Sequence, residues 1–471
     1  MKIKNENKYY WQNLIRNKEV GPDLWNRFLR HHYSLIVNSS IFGEKSMKLW
    51  SDNSELSQVE IEEIEELEKR YGKPPELYNP LLTEPFMNFS YMELDSEISF
   101  AHHVLMGADF RNTVFEGSAD FIGTFFLGNT YFNEARLIGE KPISANNAVF
   151  SFAMSTFYKS ADFNSVQFPN HISFDRARFN QNANFQNTIF GKKSTQDGYV
   201  FFYKTFFKSK ANFDHSVFNC KVEFKDTQFT FVADFSNVRF NDSVYFDATE
   251  FNYKTRFENT RFENISDFNN AKFQNTISFS NASFSRPPQF FNTELHEDMN
   301  FFGIDWSSTE QSYSRDLRQN DDLGSSIELV EYAIMAWGRL AMIMSKQEKS
   351  AERHEFFRLK MRAQRQRDGN TFLTFLNYLF EKLSDYGWGV GRAFLLWGLH
   401  IFLGAIILAA FVLFQVNGCG CVDLPKMLLN SLLVSFSNSV SFLGVVYHII
   451  SVCKGVFFSH YSSVDCTEKL D

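Results

Sequence analysis

The chain has 471 residues, which is too long for one ordinary hydrophobic core and predicts two or more structural units. Its net charge of −8 is modest for this length and gives no basic footprint for nucleic acid. The five cysteines are scattered without metal-ligand spacing, so they predict neither a disulfide framework nor a zinc site. Phenylalanine is the anomaly, because 56 Phe stand against 18 Tyr and 7 Trp, and such a bias indicates an internal repeat.

Residues 1–85 are predicted to form a helical and irregular segment that caps the repeat. The N-terminal sequence MKIKNENKYYWQNLIRNK is too polar for a signal peptide, so we expect the bulk of the chain to begin in the cytoplasm. Ser57 and Glu60 have the spacing of a capping box in front of an apolar stripe, and Gly72 ends the predicted helix. A partner-binding domain is the alternative interpretation of this segment.

Phenylalanine recurs between residues 86 and 303 with gaps of five and six, which gives a period of 11 residues. A small or β-branched residue precedes most of these Phe by two positions. One large and one small inward residue per five predict a mainly β fold, in which short sides and turns stack into a four-sided coil. Two 11-residue units per coil predict about nine coils, a rod on the order of 40 Å long. The predicted core ladder comprises Phe163, Phe168, Phe174, Phe179, Phe185, Phe190, Phe213, Phe218, Phe224, Phe229, Phe235, Phe240, Phe246, Phe251, Phe257, Phe262, Phe268, Phe273, Phe279 and Phe284.

The segments ADF, ANF and SDF beginning at 161, 183, 211, 233 and 266 resemble the motif A-(D/N)-(L/F)-x-x of the pentapeptide-repeat family. The resemblance implies a right-handed quadrilateral β-helix, in the branch with an added residue in every second repeat. Some members of that family mimic DNA and bind topoisomerases, which requires a strongly acidic rod. Residues 100–303 contain 21 Asp or Glu and 19 Lys or Arg, a difference of −2, so DNA mimicry is disfavoured.

The repeat register breaks at 138–147 (IGEKPISANN) and at 191–200 (GKKSTQDGYV). Both segments are predicted to leave the coil as loops, because insertions in solenoids map to the outside. Tolerated surface loops are the favoured interpretation, and binding loops are the alternative.

Residues 304–392 are predicted to contain an antiparallel helical hairpin and a juxtamembrane linker. Apolar residues have helical spacing in 327–346, and a second helix is predicted at 350–367. The pair resembles the single tetratricopeptide-like hairpin that often follows pentapeptide repeats in membrane-anchored members of the family.

Residues 393–450 are predicted to form a two-helix transmembrane hairpin, followed by a tail at 451–471. The run 394–416 has 23 residues without a formal charge, and the weaker run 427–450 contains five Ser and two Asn. Eight Lys or Arg lie between 346 and 367, whereas the loop between the runs has only Lys426. The positive-inside rule therefore predicts a multi-pass protein of the cytoplasmic membrane, with the repeat inside the cell and Cys419 and Cys421 outside.

Ser431, Ser435, Asn438 and Ser439 form a polar stripe in the second run. Small residues at this spacing favour close packing of the helices. The alternative is a pore formed by several hairpins.

No Walker loop, nucleophile elbow, HExxH or paired CxxC motif occurs in the sequence, so we predict neither an enzyme nor a cofactor or metal site. The pairs His31–His32 and His102–His103 are adjacent, and on a strand the two rings of each pair would point to opposite faces, which disfavours a metal ion shared within a pair. The predicted function is a membrane-anchored scaffold or sensor whose partners are the lipid bilayer and an unidentified protein. The alternatives are a homo-oligomeric pore gated by the repeat, which suggests defence, and the less favoured DNA mimic.

Overall fold

The computed structural model describes residues 10–14, 20–37, 57–74, 87–94, 97–139, 149–192, 198–319, 323–369 and 371–415. The chain divides into two compact units, Met1–Lys360 and Met361–Asp471. The first unit contains the Phe-rich repeat, and all of the described strands belong to it.

The repeat folds into a β-solenoid whose four sides are parallel sheets of nine, nine, eight and eight strands. Each strand has only two or three residues, because every side of the coil is followed by a turn. The sequence prediction of a four-sided coil is therefore confirmed, while its right-handed winding stays a prediction. The first sheet contains β1 (Met87–Asn88), β5 (Ala108–Asp109), β9 (Thr130–Tyr131), β13 (Ala161–Asp162), β17 (Ala183–Asn184), β21 (Ala211–Asn212), β25 (Ala233–Asp234), β29 (Thr255–Arg256) and β33 (Ile277–Ser278). The second contains β2 (Glu93–Leu94), β6 (Val114–Phe115), β10 (Arg136–Leu137), β14 (Gln167–Phe168), β18 (Ile189–Phe190), β22 (Val217–Phe218), β26 (Arg239–Phe240), β30 (Arg261–Phe262) and β34 (Ser283–Phe284). The third contains β3 (Ile98–Ser99), β7 (Ala119–Asp120), β11 (Phe150–Ser151), β15 (His171–Ser173), β19 (Tyr199–Phe201), β23 (Lys221–Glu223), β27 (Val244–Tyr245) and β31 (Ser266–Asp267). The fourth contains β4 (Val104–Leu105), β8 (Phe125–Phe126), β12 (Thr156–Phe157), β16 (Arg178–Phe179), β20 (Phe206–Phe207), β24 (Gln228–Phe229), β28 (Glu250–Phe251) and β32 (Lys272–Phe273).

Phenylalanine rings stack along the axis of the solenoid. The ring of Phe235 lies 4.8 Å from that of Phe213 and 5.0 Å from that of Phe257, with planes within 2° and 8° of parallel. These distances match the spacing of hydrogen-bonded strands, since one coil is one strand higher than the last. Phe224, on another side of the coil, meets Phe235 edge to face at 5.4 Å and 84°. Stacked and edge-to-face pairs are the two favourable arrangements of aromatic rings, so the ladder is both apolar and geometrically ordered.

Buried threonines add a polar ladder inside this apolar core. Thr227 Oγ1 donates to the carbonyl of Phe202 at 2.5 Å, and Thr260 Oγ1 donates to that of Phe235 at 2.6 Å. A hydroxyl buried without a partner would cost free energy, and these hydrogen bonds remove that cost. The small inward position therefore tolerates Thr as well as Ala or Val.

One turn in each 11-residue unit contains a residue with a left-handed backbone. Asn237, for example, has a φ of 56°. Asn is among the few residues other than Gly that adopt this conformation at low cost, which explains why it recurs at the position. The Asn residues at it are Asn112, Asn187, Asn237, Asn259, Asn270, Asn281 and Asn292.

The Asp or Asn that precedes each motif Phe also has a structural role. Asp234 Oδ1 accepts hydrogen bonds from the backbone N–H of Ser236 at 3.3 Å and from its hydroxyl at 2.7 Å. The Asp and Asn residues at this position therefore stabilise the turn, in addition to being polar. Their short polar side chains close the turn, as in other Asx turns.

The two insertions leave the stacking intact. Phe185 stacks on Phe213 at 4.8 Å, and Phe121 stacks on Phe152 at 4.7 Å. Each of these pairs spans an insertion, so its rings are farther apart in sequence than those of an uninterrupted coil, such as Phe213 and Phe235. The stacking therefore continues across both insertions. Tyr199 and Val200, which the sequence prediction placed in the second loop, instead belong to β19. Residues 140–148 and 193–197 lie outside the described ranges.

Helices α1 (Pro22–Val37) and α2 (Gln58–Tyr71) precede the solenoid, and residues 10–14 are also helical. Helix α2 begins with the predicted capping box of Ser57 and Glu60. Trp25 of α1 donates its indole N–H to the carbonyl of Val104 at 2.8 Å, and Asn26 Oδ1 accepts the N–H of Val104 at 2.9 Å. Val104 begins the edge strand of the fourth sheet. Helix α1 therefore provides hydrogen-bond partners for edge backbone groups that could otherwise pair with a strand of another chain.

The C-terminal end of the solenoid is covered by α3 (Trp306–Gln319), α4 (Leu323–Lys346) and the start of α5 (Ser350–Asp368). Trp306 continues the ring stack, lying 5.7 Å from Phe284 at 9°. Arg339 of α4 donates from Nε to the carbonyl of Phe290 at 3.0 Å, and Lys349 Nζ donates to that of Met299 at 2.8 Å. Side chains of the predicted helical hairpin thus satisfy carbonyls at the last coil.

The second unit contains the rest of α5 together with α6 (Phe372–Ser384) and α7 (Val390–Gln415). Buried Glu381 accepts hydrogen bonds from Arg362 Nε at 2.7 Å and Arg365 Nη2 at 2.5 Å. Within the described ranges, no helix combines the length and the apolarity that crossing a bilayer requires. The first predicted span is helical as far as Gln415, but the transmembrane hairpin is not confirmed, and the second span lies outside the described residues.

A candidate binding surface on the third sheet

The residues selected from the sequence do not form an accessible site. All twenty Phe of the predicted ladder are buried in the solenoid core. Ser431, Ser435, Asn438 and Ser439 lie outside the described residues. A functional surface must therefore be sought among the outward side chains of the solenoid.

Several outward aromatic and charged side chains lie side by side on the third sheet. Tyr199 and Phe201 flank the buried Val200 on β19, and their ring centroids are 5.7 Å apart with planes 5° from parallel. In register with them lie Lys221 and Glu223 on β23, and Tyr245 follows Glu223 on β27. We call these five residues the aromatic face.

Lys221 contacts three other residues of the aromatic face. Its Nζ lies 5.4 Å from the ring centroid of Tyr199, 4.6 Å from that of Tyr245 and 3.4 Å from Glu223 Oε1. A cation between two rings and a carboxylate is partly neutralised and restrained, because each contact is favourable. The face therefore presents its rings in fixed positions instead of as independent mobile side chains.

A cleft of about 470 Å³ lies at the C-terminal end of the same face. Tyr245 is shared by the two features, and the cleft is further lined by Asp267 of β31, by Tyr313 of α3 and by Tyr332 of α4. Its volume falls within the roughly 300–1,000 Å³ of ligand sites in proteins. Aromatic walls with a few polar groups suit a side chain or a short peptide segment.

The pKa values of two groups in the cleft are raised. Burial raises the pKa of the Asp267 carboxyl, which nevertheless accepts the N–H of Asn269 at 2.8 Å. Burial and the charge of Glu331 raise the pKa of Tyr313, so its hydroxyl remains a donor at neutral pH. That hydroxyl is buried and makes no hydrogen bond within the described part of the chain. Tyr313 therefore contributes its ring to the cleft wall, while its hydroxyl is closed to solvent.

Burial also affects a carboxyl beside the aromatic face. It raises the pKa of Asp175 to about 6, and the negative charge of Glu223 contributes in the same direction. Asp175 Oδ1 accepts the N–H of Tyr203 at 3.2 Å. The charge near this face therefore changes in the mildly acidic range.

Other outward positions differ from the aromatic face. The second sheet has Arg239 and Arg261 in register, and Arg239 is exposed. Phe231 and Tyr253 are both exposed and stack at 4.8 Å, and they are located in turns and not on a sheet. These two places supply matched controls for experiments on the aromatic face.

Sequence reasoning missed the aromatic face although a signal was present. Glu223, Tyr245, Asp267 and Gln289 are evenly spaced in the sequence, each one coil after the last, and so lie on one side. The insertion before Tyr199 interrupts this even spacing, so the sequence does not show that Tyr199 and Phe201 lie on the same side as Glu223 and Tyr245. The helices that complete the cleft could not be placed against the sheet from spacing alone.

Comparison with known families matches residues 146–189 and 224–271 to the family described as "Pentapeptide repeats (9 copies)". This match confirms the resemblance drawn from the ADF, ANF and SDF segments. Comparisons with curated proteins and with solved structures find no match to the chain.

Proposed function

We propose that this chain, whose pentapeptide repeats fold into a β-solenoid, is a binding scaffold that recognises a protein partner through the aromatic face and the adjoining cleft. The observation that carries the proposal is the cluster of Lys221 with Tyr199 and Tyr245. Aromatic residues are enriched at protein interfaces, where they bury a large area at a low cost in conformational entropy.

The parallel ladder favours an extended partner segment. Outward residues on the third sheet repeat at the spacing of adjacent strands, so successive side chains of a segment lying along the axis meet equivalent positions. At the end of the face, the segment would pack in the cleft against the rings of Tyr245 and Tyr313. This arrangement supports binding and supplies no nucleophile paired with a base.

Site-specific photo-crosslinking tests the proposal. A photoreactive amino acid replaces Tyr199 in one form of the protein and Arg239, on the second sheet, in another. We expect a specific adduct only from position 199, and its loss when Tyr245→Ala is added. The double variant Phe231→Ala/Tyr253→Ala should leave the adduct unchanged, since it removes an equivalent exposed pair elsewhere.

Three results decide between the alternatives. An adduct of the chain with itself would indicate a homo-oligomer in place of a distinct partner. Equal adducts from positions 199 and 239 would reject the aromatic face as the binding surface. If the adduct from position 199 still forms in the Tyr245→Ala variant, Tyr245 is not part of the contact with the partner.

We also propose that residues 390–450 attach the chain to a lipid bilayer, with the solenoid on the cytoplasmic side. The support is the exposure of apolar side chains on α7 and the basic stretch that precedes it. Attachment through an exposed apolar helix does not require that this helix crosses the bilayer. The exposed residues of α7 include Phe394, Leu395, Leu399, Phe402, Leu403 and Ile407.

Membrane fractionation tests the attachment. We expect the chain to sediment with membranes after a high-salt wash and to need detergent for release. The variant Leu395→Lys/Leu403→Lys should shift it to the supernatant, whereas Ile189→Lys, at an exposed position on the second sheet, should not. Full recovery of the unmodified chain without detergent would reject attachment.

Thiol labelling tests the orientation. Cys220 is a poor reporter, because it is buried and burial raises the pKa of its thiol to about 12. Lys225→Cys places a thiol at a half-exposed position instead. In intact cells we expect an impermeant reagent to label the Lys225→Cys variant no more than the unmodified chain, and labelling of Cys419 or Cys421 would show that residues 394–416 cross the bilayer. Labelling at position 225 without lysis would reverse the orientation.

A further inference from the structure

The helices that precede the solenoid bring together three side chains with metal-binding atoms. His31 and His32 lie on α1, and Glu68 lies on α2. One ligand atom from each of the three residues lies within 4.8 Å of the other two. His32 Nε2 and Glu68 Oε1 are 2.9 Å apart.

The adjacency of the two histidines does not separate them, because they lie on a helix. Neighbouring residues of a strand point to opposite faces, whereas on a helix they are about 100° apart. The ring centroids of His31 and His32 are 4.9 Å apart. The strand-based objection to a shared metal therefore fails for this pair.

From this geometry we propose that His31, His32 and Glu68 bind a zinc ion that clamps α1 to α2, with water as the fourth ligand. Two imidazoles and one carboxylate form a donor set that zinc uses in proteins. With bonds of about 2.1 Å, tetrahedral ligand atoms are roughly 3.4 Å apart, so the present separations need only small side-chain adjustments.

The surroundings suit such a site. The ring of His32 packs against Phe28, with centroids 4.6 Å apart, which restrains its orientation. His31 is exposed and free of core packing, so it can turn toward the ion.

The clamp has a structural consequence. Arg27 of α1 already pairs with Glu60 at 2.9 Å and with Glu63 at 3.1 Å on α2. Zinc would join the same helices farther along their axes and close the loop between them, a constraint that stabilises the folded state. Since Trp25 and Asn26 of α1 cover the edge of the fourth sheet, the ion would hold this cover in place.

Zinc titration of the purified full chain, stripped with chelator, tests the proposal. We expect one high-affinity zinc per chain by competition with a chromophoric chelator, and a higher Tm in the presence of zinc. His31→Ala and Glu68→Gln should each weaken zinc binding by about a hundredfold or more, beyond the roughly 10- to 100-fold loss typical of second-shell changes. Circular dichroism checks that the variants remain folded.

His215→Ala is the matched control. His215 Nδ1 also lies 2.9 Å from a carboxylate, that of Asp214, but this pair has no third ligand within the described residues. Unchanged zinc affinity in this variant supports the clamp. An equal loss in His215→Ala, or unchanged affinity in His31→Ala, would overturn it. If Glu68→Gln does not fold, the exposed His31 decides the question alone.

Discussion

Thr260 Oγ1 donates a hydrogen bond of 2.6 Å to the carbonyl of Phe235, which belongs to the preceding coil. That carbonyl also accepts the backbone N–H of Val238 at 3.4 Å, so it has a second, longer hydrogen bond. The residue one coil before Thr260 is Val238, which is equally buried and has no hydroxyl. The same inward position therefore occurs in this chain both as Thr, with a hydroxyl hydrogen bond to the preceding coil, and as Val, without one.

Thr260→Val should lower the free energy of unfolding by about 1 kcal/mol. The substitution keeps the shape of the side chain and removes one hydrogen bond, while the Phe235 carbonyl retains its backbone donor. The reciprocal change Val238→Thr should be close to neutral, because its hydroxyl can reach the carbonyl of Phe213. Urea unfolding of both variants measures the difference. A loss of about 3 kcal/mol for Val238→Thr would show that its hydroxyl remains unpaired.

Phe235→Ala should destabilise the solenoid by about 3–5 kcal/mol. Its ring is stacked between two others and is completely buried, so the coil cannot collapse into the cavity. Lys225→Ala is the control, since this half-exposed side chain makes only a 3.4 Å ion pair with Asp247 and should change stability by about 0.5 kcal/mol or less. Thermal unfolding compares them, and equal shifts would contradict the inward ladder.

Ala248→Gly should stabilise the protein by about 0.5–1 kcal/mol. Ala248 has a φ of 54° at a turn position where other coils place Asn, and a Cβ is unfavourable there. Glycine removes that strain, although its greater freedom in the unfolded chain offsets part of the gain. Asn237→Gly, at the equivalent position of another coil, should have a smaller effect because Asn tolerates this conformation. A destabilised Ala248→Gly variant would indicate that the strain is negligible.

Asp175 should make stability depend on pH between about 4 and 6. The pKa of this carboxyl is about 6 in the folded chain, mainly because of burial, and about 3.8 when unfolded. The folded state therefore binds the proton more tightly. The protonated carboxyl contributes fully to stability below about pH 4, and this contribution is lost as the pH rises through 6. Asp175→Asn should raise stability at pH 7 by on the order of 1–2 kcal/mol, after a discount for solvent screening.

Unfolding curves of Asp175→Asn at pH 4 and pH 7 check this prediction. The gain should be larger at pH 7, because the neutral amide resembles the protonated acid at pH 4. Glu223→Gln should lower the pKa of Asp175, since it removes the neighbouring negative charge. A gain that is equal at both pH values would exclude titration of Asp175 as its cause.

The local sequence determined the solenoid of this protein. The regular length of a coil places Phe235 directly under Phe257, so the periodic spacing of one residue type already specified the sides, the stacking and the small inward positions. The capping box at Ser57 could likewise be predicted from the sequence, because its partner Glu60 lies within the same helical turn. Interactions between sequence neighbours and between regular repeats leave a pattern that can be recognised without coordinates.

Tertiary structure decided the contacts between segments that share no period. His32 meets Glu68, and Tyr313 completes a cleft with Tyr245, only because irregular connections bring their helices and strands together. Such contacts depend on the path of the whole chain, and spacing in the sequence carries no record of that path.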